Sequence, residues 1–323
     1  MNKLSISALK SLRKIHGMSF GEKVLEKPEC DQDPDSVSQK IYDSLSEDRP
    51  CMIARFGAFE LNTVVNFLGV RAGSRNIFKY IRGDSLQWWW NKKLIQSMNT
   101  NAGFFPPTEE KIEKFCELML KDIPEVDVLG SWLPGEHYFE KEIGKEKRIR
   151  LIFLDPFWVK QPWTKALEGR KVLVIHPYTE TIKKQYNKRE FLFKNDILPE
   201  FELKTIQAVQ SIAGSNPNFK DWFEALDFMK SEIDKEDYDI CLIGAGAYGF
   251  PLAAHVKRSG KKAVHVGGSL QLFFGIRGKR WETDAYASVV NLNYPSLINE
   301  HWVRPSTMET PEAATNVENG CYW

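Results

Sequence analysis

The sequence lacks any apolar run long enough to span a bilayer. Its most hydrophobic stretch, Ile240 to Ala254, is broken by Gly244, Gly246, Gly249 and Pro251, and it falls short of the roughly 20 residues a spanning helix needs. The opening MNKLSISALKSLRKIHGM has no long apolar core of the signal-peptide kind, so the expectation is a cytoplasmic chain. Cysteine is sparse: the five residues Cys30, Cys51, Cys116, Cys241 and Cys321 are scattered and form no C-x-x-C pair. That excludes a disulfide scaffold and predicts reduced thiols. Together with the six histidines they show no zinc-ligand spacing. There is also no excess of charge of either sign. Lys+Arg 44 against Asp+Glu 43 leaves +1, which offers no global field for nucleic acid, so any anion site must be local. Internal repeats and low-complexity tracts are missing as well.

What is present is an ordinary globular composition, 42% hydrophobic and 27% charged over 323 residues, with ten tryptophans. The expected organisation is an N-terminal helix and linker over 1–35, one main domain over 36–290, and an aromatic tail over 291–323 that folds back and covers part of the domain. In the first helix Leu4, Ala8, Leu12 and Ile15 make one stripe opposite Lys10, Arg13 and Lys14, which fits a docking helix or a peripheral contact with the inner face of the cell membrane. A second helix is predicted from near Ser36. Short apolar runs then alternate with helical patterns: CMIARF (51–56), VDVLGSW (126–132), IRLIFL (149–154), KVLVIH (171–176), ELKTIQ (202–207), YDICLIG (238–244) and KAVHVG (262–267). This pattern predicts an α/β fold, Rossmann-like, with a largely parallel sheet and helices on both faces. In such sheets ligands bind beyond the carboxyl ends of the strands, so the residues just after each run are the candidates for chemistry.

Two glycine turns occupy such positions. Gly244, Gly246 and Gly249 follow a buried strand and open a helix, the setting in which a G-x-G-x-x-G motif holds a phosphate on backbone N–H groups. A tight turn with no ligand is the other reading. The acidic residue that a dinucleotide would require some 20 positions later is missing, because the next strand ends Val264-His265-Val266-Gly267-Gly268. That leaves a nicotinamide-dependent oxidoreductase as the alternative rather than the first choice. Gly267 and Gly268 are followed by Arg277, Lys279 and Arg280 in GIRGKRW. Two adjacent glycine turns and three cations suit a diphosphate.

The first strand runs into Arg55-Phe56-Gly57-Ala58-Phe59-Glu60. This stretch resembles the R-F-G-D-G-E signature of the GT-D glycosyltransferases, particularly the branch that builds capsule and other surface polysaccharides. PWTKALEGRKVLVIHP (162–177), FELKTIQAVQSIAG (201–214) and the glycine turns through LIGAGAYGFPLAAHVKRSGKKAVHVGG extend the likeness over roughly residues 50–282. The resemblance implies a nucleotide-sugar donor, a glycan or lipid-linked acceptor, and a D-x-E pair that meets Mn²⁺ or Mg²⁺ and the diphosphate. Arg55, Gly57 and Glu60 match the signature, whereas Ala58 stands in the aspartate position and Phe59 in that of the second glycine. One carboxylate is a poor set for a hard cation, so a metal held through Glu60 and a metal-free site, with Arg277, Lys279 and Arg280 stabilising the leaving group, both remain open. A non-catalytic nucleotide-sugar-binding or assembly protein on the same fold is a further reading, and an oligomer is compatible with all of them.

Asp155, just after IRLIFL, is where a general base for the acceptor hydroxyl is expected, or it caps the turn before Pro156. Asp84 is expected to cap a helix over DSLQWWW, on which Trp88, Trp89 and Trp90 cannot share one face. Trp163, Thr164 and Lys165 are expected to open another helix. His176, His265 and His301 read more readily as structural groups than as catalysts.

Overall fold

The computed structural model describes residues 2–73, 75–211, 218–283, 291–312, 314–317 and 319–323. Local signals set most element boundaries. Asn2 caps α1 (Lys3–Phe20), and Asp33, accepting from Ser36 N at 2.7 Å, caps α2 (Pro34–Ser46), whose first position is the proline. Then follow β1 (Cys51–Arg55), α3 (Ala58–Arg71), α4 (Ile77–Ile81), α5 (Lys92–Ala102), α6 (Glu109–Asp122), β2 (Val128–Ser131), β3 (Arg148–Arg150), β4 (Lys171–His176), α7 (Thr179–Tyr186), β5 (Glu202–Gln207), α8 (Trp222–Ile233), β6 (Ile240–Ile243), α9 (Gly249–Arg258), β7 (Lys262–His265) and α10 (Leu270–Phe273).

The seven strands form one sheet in the order β3-β2-β1-β7-β6-β4-β5, with every neighbouring pair parallel. Because strand side chains alternate, the inner strands serve two cores. Met52, Ala54, Leu173, Ile175, Cys241 and Ile243 pack with Leu61, Phe115, Leu226 and Leu252 of α3, α6, α8 and α9. Cys51, Ile53, Val172, Val174, Ile240 and Leu242 pack with Val37, Ile41, Ile182 and Phe273 of α2, α7 and α10. Helices therefore cover both faces, and the expected Rossmann-like α/β fold is what the chain adopts. From β1 the chain works outward to β2 and β3. On the other side β5, β4 and β6 lead back to β7, which lies against β1. The β1/β7 boundary is the topological switch point, and a crevice opens there beyond the strand ends.

Three expectations are corrected. IRLIFL is not one strand: β3 ends at Arg150 and Leu151–Leu154 turn as a 3₁₀ helix. DSLQWWW is not a helix either. Asp84 pairs with Lys23 instead of capping, Trp88 and Trp89 make edge-on contacts with Tyr80, and Trp90 stacks on Phe67. Trp163–Leu167 form a short 3₁₀ turn with Lys165 exposed. The segment from 291 buries Tyr294, Trp302, Val317 and Trp323 in the second core. The boundary expected at residue 290 and the last three residues of FELKTIQAVQSIAG lie outside the described residues.

Candidate functional site

At the switch point the strand ends enclose a cavity of about 880 Å³, within the range typical of small-molecule sites. Arg55 and Gly57 reach it from the end of β1, Ser131 and Trp132 from β2, Arg150 from β3, His176 and Tyr178 from β4, Gln210 and Ser211 from beyond β5, Gly244 and Gly246 from β6, and His265, Gly267 and Gly268 from β7. The roof comes from Lys27, Pro28, Cys30 and Gln32 before α2 on one side and from Val317, Tyr322 and Trp323 on the other. Gly246, Gly268 and Arg280, which the diphosphate reading requires to converge, share this one space.

Charge is concentrated here although the chain is nearly neutral. Among the described residues the lining holds Lys27, Arg55, Arg150 and Arg280 against one acidic side chain, Glu60. Arg55 extends past Gly267, which has a φ of 78° and on which a Cβ would meet Arg55 Cδ at 3.4 Å, and its guanidinium lies 5.3 Å from the Trp132 ring centroid. Among the described residues no carboxylate lies within ion-pair distance of it. The indole NH of Trp132 donates to Phe56 O at 3.0 Å, which fixes the ring beneath that cation. Glu136 is buried and accepts from the Ser131 hydroxyl and from the backbone N–H of Trp132 and Leu133, so it locks the loop that carries Trp132. Burial raises its carboxyl above the usual range.

Glu60 is the third residue of α3, and its carboxylate folds back over Gly57. A Cβ built on Gly57 would lie 1.8 Å from Oε2. The anion stabilised at the N-terminus of α3 is thus the chain's own. A side chain at position 57 would require the Glu60 carboxylate to swing away from this place.

The remaining sequence candidates divide. Gly244 lies under the His176 ring and against Gly267 O, and Gly246 takes a φ of 52°. Gly249 does not line the cavity: a Cβ there would meet His265 Cε1 at 2.1 Å, so this glycine makes room for an imidazole. On Gly268 the Tyr322 ring would be 2.2 Å from a Cβ. Arg280 is held to the same tyrosine, donating to its hydroxyl at 3.1 Å with the guanidinium 4.7 Å from the ring centroid. Arg277 and Lys279 are outside the lining. Arg277 approaches Glu282 at 3.7 Å, and Lys279 reaches toward Gly320. In GIRGKRW the backbone N–H groups of Arg277 and Arg280 bond to Val303 O and Cys321 O, so the segment runs along 291–323 and only one of its three cations turns inward.

Asp155 is a supporting group rather than a wall. Its two oxygens accept from Ser269 Oγ at 2.7 Å and from the Tyr294 hydroxyl, and burial pushes its carboxyl up to about 6. A carboxyl closed off in this way anchors the Gly267-Gly268-Ser269 turn and does not meet an acceptor hydroxyl.

His176 and His265 are each 3% exposed, and both border the cavity. His176 Nδ1 accepts from Tyr178 N at 3.1 Å, which puts its proton on Nε2, whereas His265 Nδ1 faces Ile243 O at 3.3 Å and carries the proton itself. Burial lowers both to about 3, helped at His265 by the Arg55 charge. One is a fixed N–H donor at Nε2 and the other a fixed acceptor. His301 lies elsewhere, against Phe191.

Sequence reasoning missed Trp132, Arg150 and the 27–32 roof. Trp132 follows a strand and was open to the strand-end rule. Arg150 was hidden inside a run read as continuous strand. Among the described residues no group of three or more His, Cys, Asp or Glu side chains converges, and Glu60 is the acidic side chain they place in the lining, a smaller oxygen set than the several ligands a hard cation takes. Comparison with family models, with curated proteins and with solved structures finds no match for this chain.

Proposed function

We propose that the chain is a glycosyltransferase that holds a nucleoside diphosphate sugar at the β1/β7 crevice and passes the sugar to an acceptor hydroxyl, in keeping with its resemblance to the GT-D class. The observation that carries this reading is the excess of cations among the described lining residues, Lys27, Arg55, Arg150 and Arg280 against the acidic side chain of Glu60, in a cavity beside bare glycine backbone. In the transfer the bond from the anomeric carbon to the diphosphate oxygen breaks, its electron pair leaves with the diphosphate, and the acceptor oxygen bonds to that carbon. Negative charge grows on the leaving group, where guanidinium groups fixed in a recessed site stabilise it more than water would. Arg55 and Arg280 are assigned that work. Glu60, the carboxylate of the lining, is assigned the acceptor proton.

Turnover on a panel of nucleotide sugars, with thermal-shift binding in parallel, tests the reading. Arg55→Ala and Arg280→Ala are each expected to weaken donor binding at least about tenfold, the loss of one charge-assisted contact. Glu60→Gln is expected to keep binding and lose roughly a hundredfold in turnover, the scale of a general base. Unchanged kinetics in all three variants, or stabilisation by NAD(H) and not by any nucleotide sugar, removes the transferase assignment.

A further inference from the structure

Helix α1 is docked by its narrower apolar side. Leu9 is its one buried residue, packing with Tyr80 and Trp89, and Ile6 joins that cluster. Arg13 lies over the Tyr80 ring with 4.9 Å to the centroid. At about 100° per residue, Ile6, Leu9 and Arg13 define a docked face. Leu4, Ala8, Leu12, Ile15 and Met18 fall on a stripe centred roughly 150° away. That stripe points outward: Leu4 is 83% exposed, Met18 79%, Ile15 59% and Leu12 47%. Single exposed leucines are ordinary, but a continuous stripe along one helix marks a surface that meets something apolar.

The charges on the helix say what. Lys3, Lys10 and Lys14 are exposed along the rim between the stripe and the docked face, and α1 contains no acidic residue. A helix lying in the plane of a bilayer has this arrangement, with apolar side chains entering the acyl boundary and lysine stems snorkelling to the headgroups. Carboxylates, which an anionic surface would repel, are missing from the helix itself. The described residues include no helix long and apolar enough to cross a membrane, so the contact is with the surface.

We propose that α1 docks the protein on an anionic lipid bilayer through Leu4, Leu12, Ile15 and Met18, with Lys3, Lys10 and Lys14 pairing with the headgroups. The assignment is independent of the reaction and uses no residue of the cavity. Co-sedimentation of the full chain with vesicles of phosphatidylcholine alone, and of phosphatidylcholine mixed with phosphatidylglycerol, tests it. The protein is expected to sediment with the mixed vesicles, weakly or not at all with the neutral ones, and less as salt is raised. Leu12→Glu with Ile15→Glu is expected to abolish binding without altering the melting temperature, because both side chains are already half in solvent. Lys10→Gln with Lys14→Gln is expected to weaken it about thirtyfold, since each basic residue near such a surface contributes about fivefold. Failure of the unaltered chain to sediment with mixed vesicles, or undiminished binding by the Leu12/Ile15 variant, overturns the proposal. So does a dimer in light scattering that the same variant splits, which would give the stripe to a second copy.

Discussion

Asp155 holds the Gly267-Gly268-Ser269 turn from a place where water does not reach, and the consequence is a stability that responds to pH. Its carboxyl titrates at about 6 in the folded chain against 3.8 ordinarily, so between those values the folded state binds more protons than the unfolded state. Its contribution is therefore full below about pH 4 and is lost as pH rises through 6. His176 and His265 act in the opposite sense. Burial lowers them from 6.5 to about 3, so they are fully stabilising above 6.5, and their contribution is lost on acidification. Asp155→Asn keeps the shape of the group and removes its titration. The expected outcome is a variant that folds at neutral pH and loses stability more steeply than the parent between pH 6 and 4, by up to about 1.4 kcal/mol per pH unit. Urea unfolding at a series of pH values measures the difference, and parallel curves would show that this carboxyl does not titrate in the window. The same residue shows what a sequence conceals. Its position after an apolar run marks it as a group near the crevice, but whether it faces the crevice depends on Tyr294, 139 residues further on. Gly249 is the complementary case: the spacing that made it a phosphate-loop glycine is real, yet the group packed on it is the His265 ring.

At the level of elements, the inner strands β1, β2, β4, β6 and β7 were legible because they are buried on both faces and read as short apolar runs, whereas the edge strand β3, Arg148–Arg150, was lost in a longer run. Helix starts were legible where the cap is local, as at Asp33 and α2. α7 shows the limit. Its N-cap residue, Tyr178, offers no side-chain acceptor, and the cap arrives from the segment 291–323. Glu309 accepts from Glu180 N at 2.8 Å, Thr181 N at 3.4 Å and the Thr181 hydroxyl, and from Ser306 Oγ at 2.8 Å. A carboxylate at a helix N-terminus is favoured by the dipole, and this one is 5% exposed. Glu309→Ala is expected to destabilise by about 1.5–3 kcal/mol, the range for hydrogen bonds to a charged group, while Glu309→Gln keeps the better part of it. Chemical denaturation of the two variants tests this, and equal losses would mean that packing rather than the cap is what Glu309 supplies. Tyr178, next to the capped turn, borders the cavity, so the cap also holds a wall of the site.

Across the whole molecule, the order of apolar runs indicated a parallel sheet but not which strands are neighbours. The placing of β7 between β1 and β6 depends on side chains meeting across the sheet, and it is this placement that brings Arg55 beside Gly267. The two ends of the chain relate to that sheet differently, although the sequence presents both as appendages. Residues 3–20 bury Leu9 alone, whereas 291–323 sink Tyr294, Trp302, Val317 and Trp323 into the second core and supply Glu309 to α7. At about 1.5–3 kcal/mol for each fully buried large apolar side chain, the later segment supports an amount comparable with the whole stability of an ordinary domain, about 5–15 kcal/mol. A chain beginning at residue 21 is therefore expected to fold, with a loss of about 2–4 kcal/mol from Leu9 and the side chains packed on it. A chain ending at residue 290 is expected to lose cooperative unfolding altogether. Circular dichroism melts of the two truncations measure the contrast. A cooperative transition in the second would mean that 291–323 is a detachable cover over the cavity and not part of the core that holds the sheet.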